Sequence, residues 1–205
     1  MKDLAAGPVE EREPEFLAGS GLAREAFEFA RAAHEGQKRK GDGSPYINHP
    51  VELARLLHRS GNDDDELLAA AFLHDTVEDT DTTVEEIEDA FGAGVRDLVD
   101  AMSEDKDVSP WAARKEHHRD KVEAAGERPV LIYAADKLAN LRDMRTLFAN
   151  VGEGASSRFN APIDDRIQVW RGDAEMIARF HPESSLLADL RSELDLFEAE
   201  RSTTA

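Results

Sequence analysis

One short stretch carries the residues best suited to chemistry, namely Leu73-His74-Asp75-Thr76-Val77-Glu78-Asp79-Thr80. On a helix, residues three and four apart share a face, so His74 and Asp75 are expected to lie over Glu78 and Asp79. The apolar run that precedes them predicts that this helix is mostly buried. Because burying several carboxylates together is costly unless a cation compensates them, the pattern predicts a metal site.

Two further residues could complete such a site. His49 lies between Asn48 and Pro50 at a loop-to-helix junction, where proline in the first helical turn pre-sets the backbone. Taken alone, His49 is better explained as a structural hydrogen-bonding group, and the cluster at His74 reverses that preference. Asp136 follows an apolar run and is expected to be buried, where either a metal or a salt bridge, to Lys137 or to a basic residue elsewhere, would satisfy it equally well.

Together, these candidates supply two imidazoles and two carboxylates from three separate segments: His49, His74, Asp75 and Asp136. A mixed nitrogen and oxygen site of this kind suits Mn²⁺, Fe²⁺, Co²⁺ or Zn²⁺, and ligand type alone does not choose among them. Glu78 and Asp79 then remain available to orient a water molecule or take its proton. The chemistry that this arrangement predicts is hydrolysis.

The other histidines are interpreted more simply. His58, His117, His118 and His181 lie among charged residues or beside a proline and are predicted to be surface groups. His34 ends the first helical pattern and is predicted to pack, with ordering of the following basic loop as the alternative.

The amino-acid composition excludes several classes of function. The 205 residues fit one domain, and 44 acidic against 25 basic side chains give a formal charge of −19. This charge argues against general binding to nucleic acid or anionic membrane, because both require cationic patches. Cysteine is absent, which excludes disulfides and thiolate metal sites. No transmembrane-length apolar run or signal peptide is visible, so a cytoplasmic protein is expected.

Hydrophobic periodicity predicts an all-α bundle of about eight to ten helices in a single domain over residues 20–200. Residues 1–19 are predicted to be a flexible lead-in, and residues 151–157 a flexible loop. From residue 50 onward, the helical stretches are expected at about 50–60, 63–78, 83–91, 93–103, 110–125, 128–148, 161–181 and 183–200. An aspartate at 63–65 is expected to cap the helix that bears His74.

Four blocks resemble a known family, the HD-domain hydrolases of the RelA/SpoT alarmone system, and among them the small alarmone hydrolases typified by the metazoan SpoT homologue. The blocks are Ala33-His34-Glu35-Gly36-Gln37-Lys38-Arg39-Lys40, Pro45-Tyr46-Ile47-Asn48-His49-Pro50, Leu73 to Thr80, and Ala135-Asp136-Lys137-Leu138-Ala139-Asn140-Leu141-Arg142-Asp143. Their order and spacing also agree with the family, over about residues 21–148.

The resemblance implies an HD-domain helical fold and manganese-dependent removal of the 3′-pyrophosphate from ppGpp and pppGpp. It carries over His49, His74, Asp75 and Asp136 as metal ligands, and Glu78 and Asp79 as the pair that activates water. It also implies nucleotide or phosphate contacts from Lys38, Arg39, Asn140 and, with a less secure alignment, Arg166. Lys40 belongs to the same basic run. An acidic protein that handles a polyphosphate needs such local cations.

Two alternatives stay open. The same scaffold could cleave another phosphorylated nucleotide, such as the 2′-phosphate of NADPH, because the metal centre does not read the base. A catalytically silent nucleotide-binding module is the second alternative, and the presence of both Glu78 and Asp79 argues against it. Since the sequence ends near residue 205, hydrolysis without alarmone synthesis is expected.

Overall fold

The computed structural model describes residues 13–39, 41–158 and 161–204. In this part of the chain, nine α-helices are α1 (Leu22–Ala33), α2 (Asn48–Arg59), α3 (Asp65–Leu73), α4 (Thr76–Asp79), α5 (Val84–Met102), α6 (Trp111–Ala125), α7 (Glu127–Val151), α8 (Ile163–Phe180) and α9 (Ser185–Thr204). Two short 3₁₀ helices cover Glu15–Leu17 and Gly152–Arg158. Extended pairing in the described residues is limited to an isolated bridge between Lys38 and Pro45. The all-α prediction is confirmed.

Two helices form the centre of the bundle. Helix α3 packs against α1, α2, α5 and α7, and α7 also contacts α2, α5, α6, α8 and α9. Every residue from Leu67 to Leu73 is at most 4% exposed. A helix that is hydrophobic on all sides belongs inside the protein, so α3 fixes its own C-terminal end deep in the fold.

Local signals set several helix boundaries as predicted. Asp64 caps α3 by accepting a hydrogen bond from the Leu67 N–H at 2.9 Å, a contact worth about 1 kcal/mol. Gly92 has φ +82° and divides α5 between the two predicted stretches, a conformation that glycine adopts without steric cost.

The single helix predicted over residues 63–78 is wrong, because it breaks after Leu73. Side chains take the carbonyl groups that a continuous helix would use. His74 Nδ1 lies 2.9 Å from the Ala71 oxygen, and Thr76 Oγ1 donates to the Leu73 oxygen at 2.7 Å. Such local side-chain bonds compete with the helical ladder. His74 and Asp75 therefore form a turn between α3 and α4.

Two segments are more structured than the sequence analysis expected. Residues 1–12 lie outside the described part, but Leu17 is fully buried and the Phe16 ring stacks on His58 with centroids 4.9 Å apart. The packed structure therefore begins before residue 20. The loop predicted at 151–157 is mostly a 3₁₀ helix that buries Ala155. Both segments are too short for helical periodicity to reveal an apolar anchor.

None of the helices in the described residues combines the length and the apolar character needed to cross a membrane.

Candidate active site

The predicted ligands converge from three elements, the first turn of α2, the α3–α4 turn and the middle of α7. His49 Nε2 lies 3.1 Å from Asp136 Oδ1 and 3.7 Å from Asp75 Oδ2. His74 Nε2 lies 2.9 Å from Asp75 Oδ2 and 4.0 Å from Asp136 Oδ1. The fold thus brings these four side chains, from three segments that are far apart in sequence, into one cluster.

The donor set fits a divalent transition metal. Bonds from zinc to nitrogen or oxygen ligands are about 2.0–2.2 Å, so two ligands of one such ion lie within about 4.4 Å of each other. The four distances from a histidine nitrogen to a carboxylate oxygen satisfy this limit, and the ligand atoms of the three buried members, His49, His74 and Asp136, all lie within 4.8 Å of one another. The Nδ1 edge of His74 faces the Ala71 carbonyl, which orients the ring so that its buried Nε2 points at the carboxylates of Asp75 and Asp136. A histidine held at Nδ1 by a backbone carbonyl and aimed at carboxylates through Nε2 has the arrangement of a metal ligand.

Charge in the cluster also favours a cation. Burial lowers the pKa of His74, but Asp75 and Asp136 outweigh burial and raise that pKa to about 9. Burial would raise the pKa of both aspartates, yet His74 and His49 hold the pKa of Asp75 below its ordinary range, and Lys137, together with the same histidines, does so for Asp136. Both carboxylates are therefore ionised near neutral pH.

Asp136 agrees with both interpretations of its sequence context, a salt bridge to Lys137 and a place in a metal site. Its Oδ2 accepts a hydrogen bond from Lys137 Nζ at 2.7 Å, and its Oδ1 accepts one from Asn140 Nδ2 at 2.6 Å. Lys137 is only 8% exposed, and its ammonium lies 4.2 Å from the centre of the Tyr133 ring. The carboxylate therefore turns one edge to a buried ion pair and the other toward the histidines.

The acid pair lies beside this cluster and closer to solvent. The side chains of Glu78 and Asp79 are 20% and 40% exposed. Burial, with the charges of Asp75 and Glu104, raises the pKa of Glu78. The Tyr46 hydroxyl donates to Asp75 Oδ2 and lies 3.4 Å from Asp79 Oδ2. Tyr46 thus links the metal cluster to the acid pair.

A cleft of about 600 Å³ contains all of these groups. It is lined by the ten residues predicted for the site: Lys38, Arg39, His49, His74, Asp75, Glu78, Asp79, Asp136, Asn140 and Arg166. Arg39 forms an ion pair with Asp143, and the Arg166 guanidinium lies 5.1 Å from the centre of a Trp111 ring. Lys40 lies outside the described residues. The structure brings the predicted residues together, while their individual roles stay predictions.

Several side chains that line the cleft were not predicted for the site, among them Tyr46, His118 and Glu104. Tyr46 was part of a quoted motif but received no role. His118 was predicted to be a surface group, and this was wrong, because it is 3% exposed and its ring packs 5.3 Å from that of Tyr133. The signal was present in the spacing of Trp111, His118 and Val122, which share one face of α6.

The remaining histidines agree better with their sequence interpretation. His117 is exposed, and His58 and His181 are half-buried. His34 is 3% exposed, with Nδ1 2.9 Å from Gln37 Oε1 and its ring centroid 4.5 Å from that of Tyr46. The packing prediction for His34 is confirmed.

Comparison with known proteins gives a consistent result. Residues 26–155 match the family described as the HD domain. A guanosine-3′,5′-bis(diphosphate) 3′-pyrophosphohydrolase of Mus musculus is 48% identical over 122 residues, covering 58% of this chain and 68% of the mouse protein. The enzyme of the same name from Vibrio cholerae is 39% identical over 153 residues, covering 72% of this chain and 20% of that longer protein.

A solved structure matches most of this chain's fold. It is described as a metazoan orthologue of SpoT that hydrolyses ppGpp and plays a role in starvation responses. The two structures superpose with a TM-score of 0.69 at 28% identity, over 93% of this chain and 98% of the other. The chain therefore belongs to the HD-domain family, in the group that contains the guanosine-3′,5′-bis(diphosphate) 3′-pyrophosphohydrolases.

Proposed function

We propose that this protein hydrolyses the 3′-pyrophosphate of ppGpp and pppGpp, giving GDP or GTP plus pyrophosphate, with Mn²⁺ as the cofactor. The observation that carries the proposal is a buried histidine and carboxylate cluster that shares one cleft with an acid pair and with cationic side chains. The names of the mouse and Vibrio relatives support the same reaction.

The metal would be held by His49, His74, Asp75 and Asp136. When bound, Mn²⁺ supplies positive charge that stabilises the charge developing on the phosphoryl oxygens and favours ionisation of the attacking water. The choice of Mn²⁺ over other divalent ions rests on the resemblance, because the ligand types do not select it.

Glu78 and Asp79 would orient the attacking water and take its proton. The pKa of Glu78 is raised above that of an ordinary glutamate. Its deprotonated carboxylate is therefore a better proton acceptor than that of an ordinary glutamate. The water oxygen forms a bond to the phosphorus of the 3′-pyrophosphate, the bond from that phosphorus to the ribose 3′ oxygen breaks, and the 3′ oxygen leaves with a proton. The products are pyrophosphate and GDP from ppGpp, or pyrophosphate and GTP from pppGpp.

The substrate would be held by the cationic wall of the cleft. Lys38, Arg39 and Arg166 supply positive charge, which a protein of net charge −19 must provide locally to bind a polyphosphate. Asn140, whose amide orients Asp136, would contact the nucleotide from the same face of α7.

The test is a turnover assay on purified protein with ppGpp, with and without Mn²⁺, with NADPH in parallel and with the Asp79→Asn variant. We expect manganese-dependent GDP plus pyrophosphate. Asp79→Asn removes a charge without changing shape, so turnover should fall by about 10²-fold or more while manganese binding persists. Release of orthophosphate from NADPH without turnover of ppGpp would contradict the proposal, as would nucleotide binding without any turnover.

A further inference from the structure

A lysine that has been given no role lies against the acid pair. Lys106, in the loop between α5 and α6, donates a hydrogen bond from Nζ to the main-chain oxygen of Glu78 at 2.6 Å. The same ammonium lies 3.4 Å from Asp79 Oδ1 and 3.8 Å from Glu78 Oε1. One cation therefore contacts both members of the pair and the backbone that carries them.

The loop is attached to the acid pair at a second point. The main-chain N–H of Glu104 donates to Glu78 Oε2 at 3.2 Å. Glu78 thus has one carboxylate oxygen on a backbone donor and the other near an ammonium. Two attachments on different oxygens restrict rotation of the carboxylate more than either does alone.

The loop itself is anchored to α6. The Glu104 side chain is only 9% exposed and forms ion pairs with Arg114 Nε at 3.1 Å and with Lys115. His118 Nδ1 lies 3.5 Å from the same carboxylate. Because several buried contacts hold Glu104, the loop cannot swing away from α4 without breaking them.

The acid pair needs such support from outside. Helix α4 is a single turn, Thr76–Asp79, in which Thr76 is fully buried but the side chains of Glu78 and Asp79 extend toward solvent. Glu78 also lies near the carboxylates of Asp75 and Asp79, whose negative charges repel its own. Without a nearby cation, the two side chains would gain rotamers that point away from the cleft.

We propose that Lys106 is a positioning residue, which holds Glu78 and Asp79 in the orientation that the hydrolytic step requires. The expected loss of kcat rests on the proposed function, whereas the expected movement of Glu78 and Asp79 rests on geometry alone. Lys106 is 58% exposed, so its ion pairs contribute little to the stability of the fold. Its effect is expected on the placement of the pair.

The experiment compares Lys106→Met and Lys106→Arg in the full chain, with Lys121→Met as a matched control. Lys121 Nζ bonds the main-chain oxygen of Asp100 at 2.5 Å and lies 3.4 Å from the carboxylate of that residue and 3.3 Å from the Ser103 oxygen. It therefore contacts the start of the same loop but neither member of the acid pair. In Lys106→Met, kcat for ppGpp should fall by about 10- to 100-fold, the scale of a misplaced reacting group. KM and manganese affinity should stay close to wild type, Lys106→Arg should recover most of kcat, and Lys121→Met should leave it unchanged.

Crystal structures of Lys106→Met and Lys121→Met provide a readout that does not depend on the substrate. We expect Glu78 and Asp79 to adopt new or multiple rotamers only in Lys106→Met. Unchanged side chains in that variant, or a kcat within about twofold of wild type, would overturn the inference. A raised KM at constant kcat would also overturn it, because Lys106 would then bind substrate. Inactivity of the wild type on ppGpp would refute the proposed function, and the crystal comparison would still decide the role of Lys106.

Discussion

Replacing Asp136 by asparagine should destabilise the metal-free protein strongly, because it removes the carboxylate that pairs directly with the buried Lys137 ammonium. The two charges lie 2.7 Å apart, which corresponds to about 6 kcal/mol of attraction at an effective dielectric constant of about 20. The asparagine carbonyl can still accept a hydrogen bond from the ammonium, retaining about 1.5–3 kcal/mol. The difference, about 3–5 kcal/mol, agrees with the usual cost of breaking a buried ion pair.

The assay is urea denaturation in the presence of EDTA, comparing the free energy of unfolding of wild type and Asp136→Asn. Small proteins are stable by about 5–15 kcal/mol, so the expected loss is easily measured. Asp143→Asn is the matched control, since that aspartate pairs with Arg39 but its side chain is 40% exposed. An exposed pair is worth about 1 kcal/mol or less.

A double variant separates charge from packing. Adding Lys137→Met to Asp136→Asn removes the stranded ammonium, so part of the lost stability should return. A loss below about 1 kcal/mol in Asp136→Asn would refute the reasoning, because Lys137 would then be solvated or neutral rather than dependent on Asp136. An equal loss in Asp143→Asn would refute it as well.

Three other changes are predicted. Tyr46→Phe removes the hydroxyl that donates a hydrogen bond to Asp75. Manganese affinity, measured by titration, should therefore fall by about 10- to 100-fold. An unchanged affinity would contradict this prediction. Burial raises the pKa of Glu104, but hydrogen bonding to His118 and the charge of Lys115 contribute to a net pKa below the ordinary value of 4.5. Glu104 therefore stabilises the fold above that pH, and this stabilisation is lost as the pH falls toward the folded pKa. Denaturation should show that Glu104→Gln is less stable than wild type at pH 7 and that the difference in free energy of unfolding narrows under acidic conditions. A difference that does not change with pH would contradict this. A net charge of −19 repels itself, so the free energy of unfolding should rise between low and high KCl, and a decrease would indicate that surface ion pairs dominate.

Sequence reasoning located most of the helices because their signals are local. The division of α5 at Gly92 and the capping of α3 by Asp64 follow from neighbouring residues and were predicted. The break at His74 was missed because it depends on two side chains that take carbonyl groups of the preceding turn. Periodicity cannot show that competition.

The site was predicted as a set of residues, and its spatial organisation was not. The motifs identified ligands and the acid pair, since these residue types stand out in an apolar context. The motifs did not predict that the loop residue Glu104 would contact Glu78. These two residues lie in different elements, and helical periodicity relates only residues within one helix. The burial of His118 could have been read from the face that it shares with Trp111 and Val122, but its charged neighbours obscured the pattern.

The arrangement of the ligands along the chain has a consequence for folding. His49, His74 and Asp75 come from the first half of the chain, whereas Asp136 lies in α7, which must dock against α2 and α3 before the cluster closes. An intermediate that contains α1 to α4 alone would hold three ligands but not the deepest carboxylate. The metal would therefore bind such an intermediate weakly and the native state tightly. Metal added during refolding would therefore bind late in folding. It would slow unfolding and have little effect on the rate of folding.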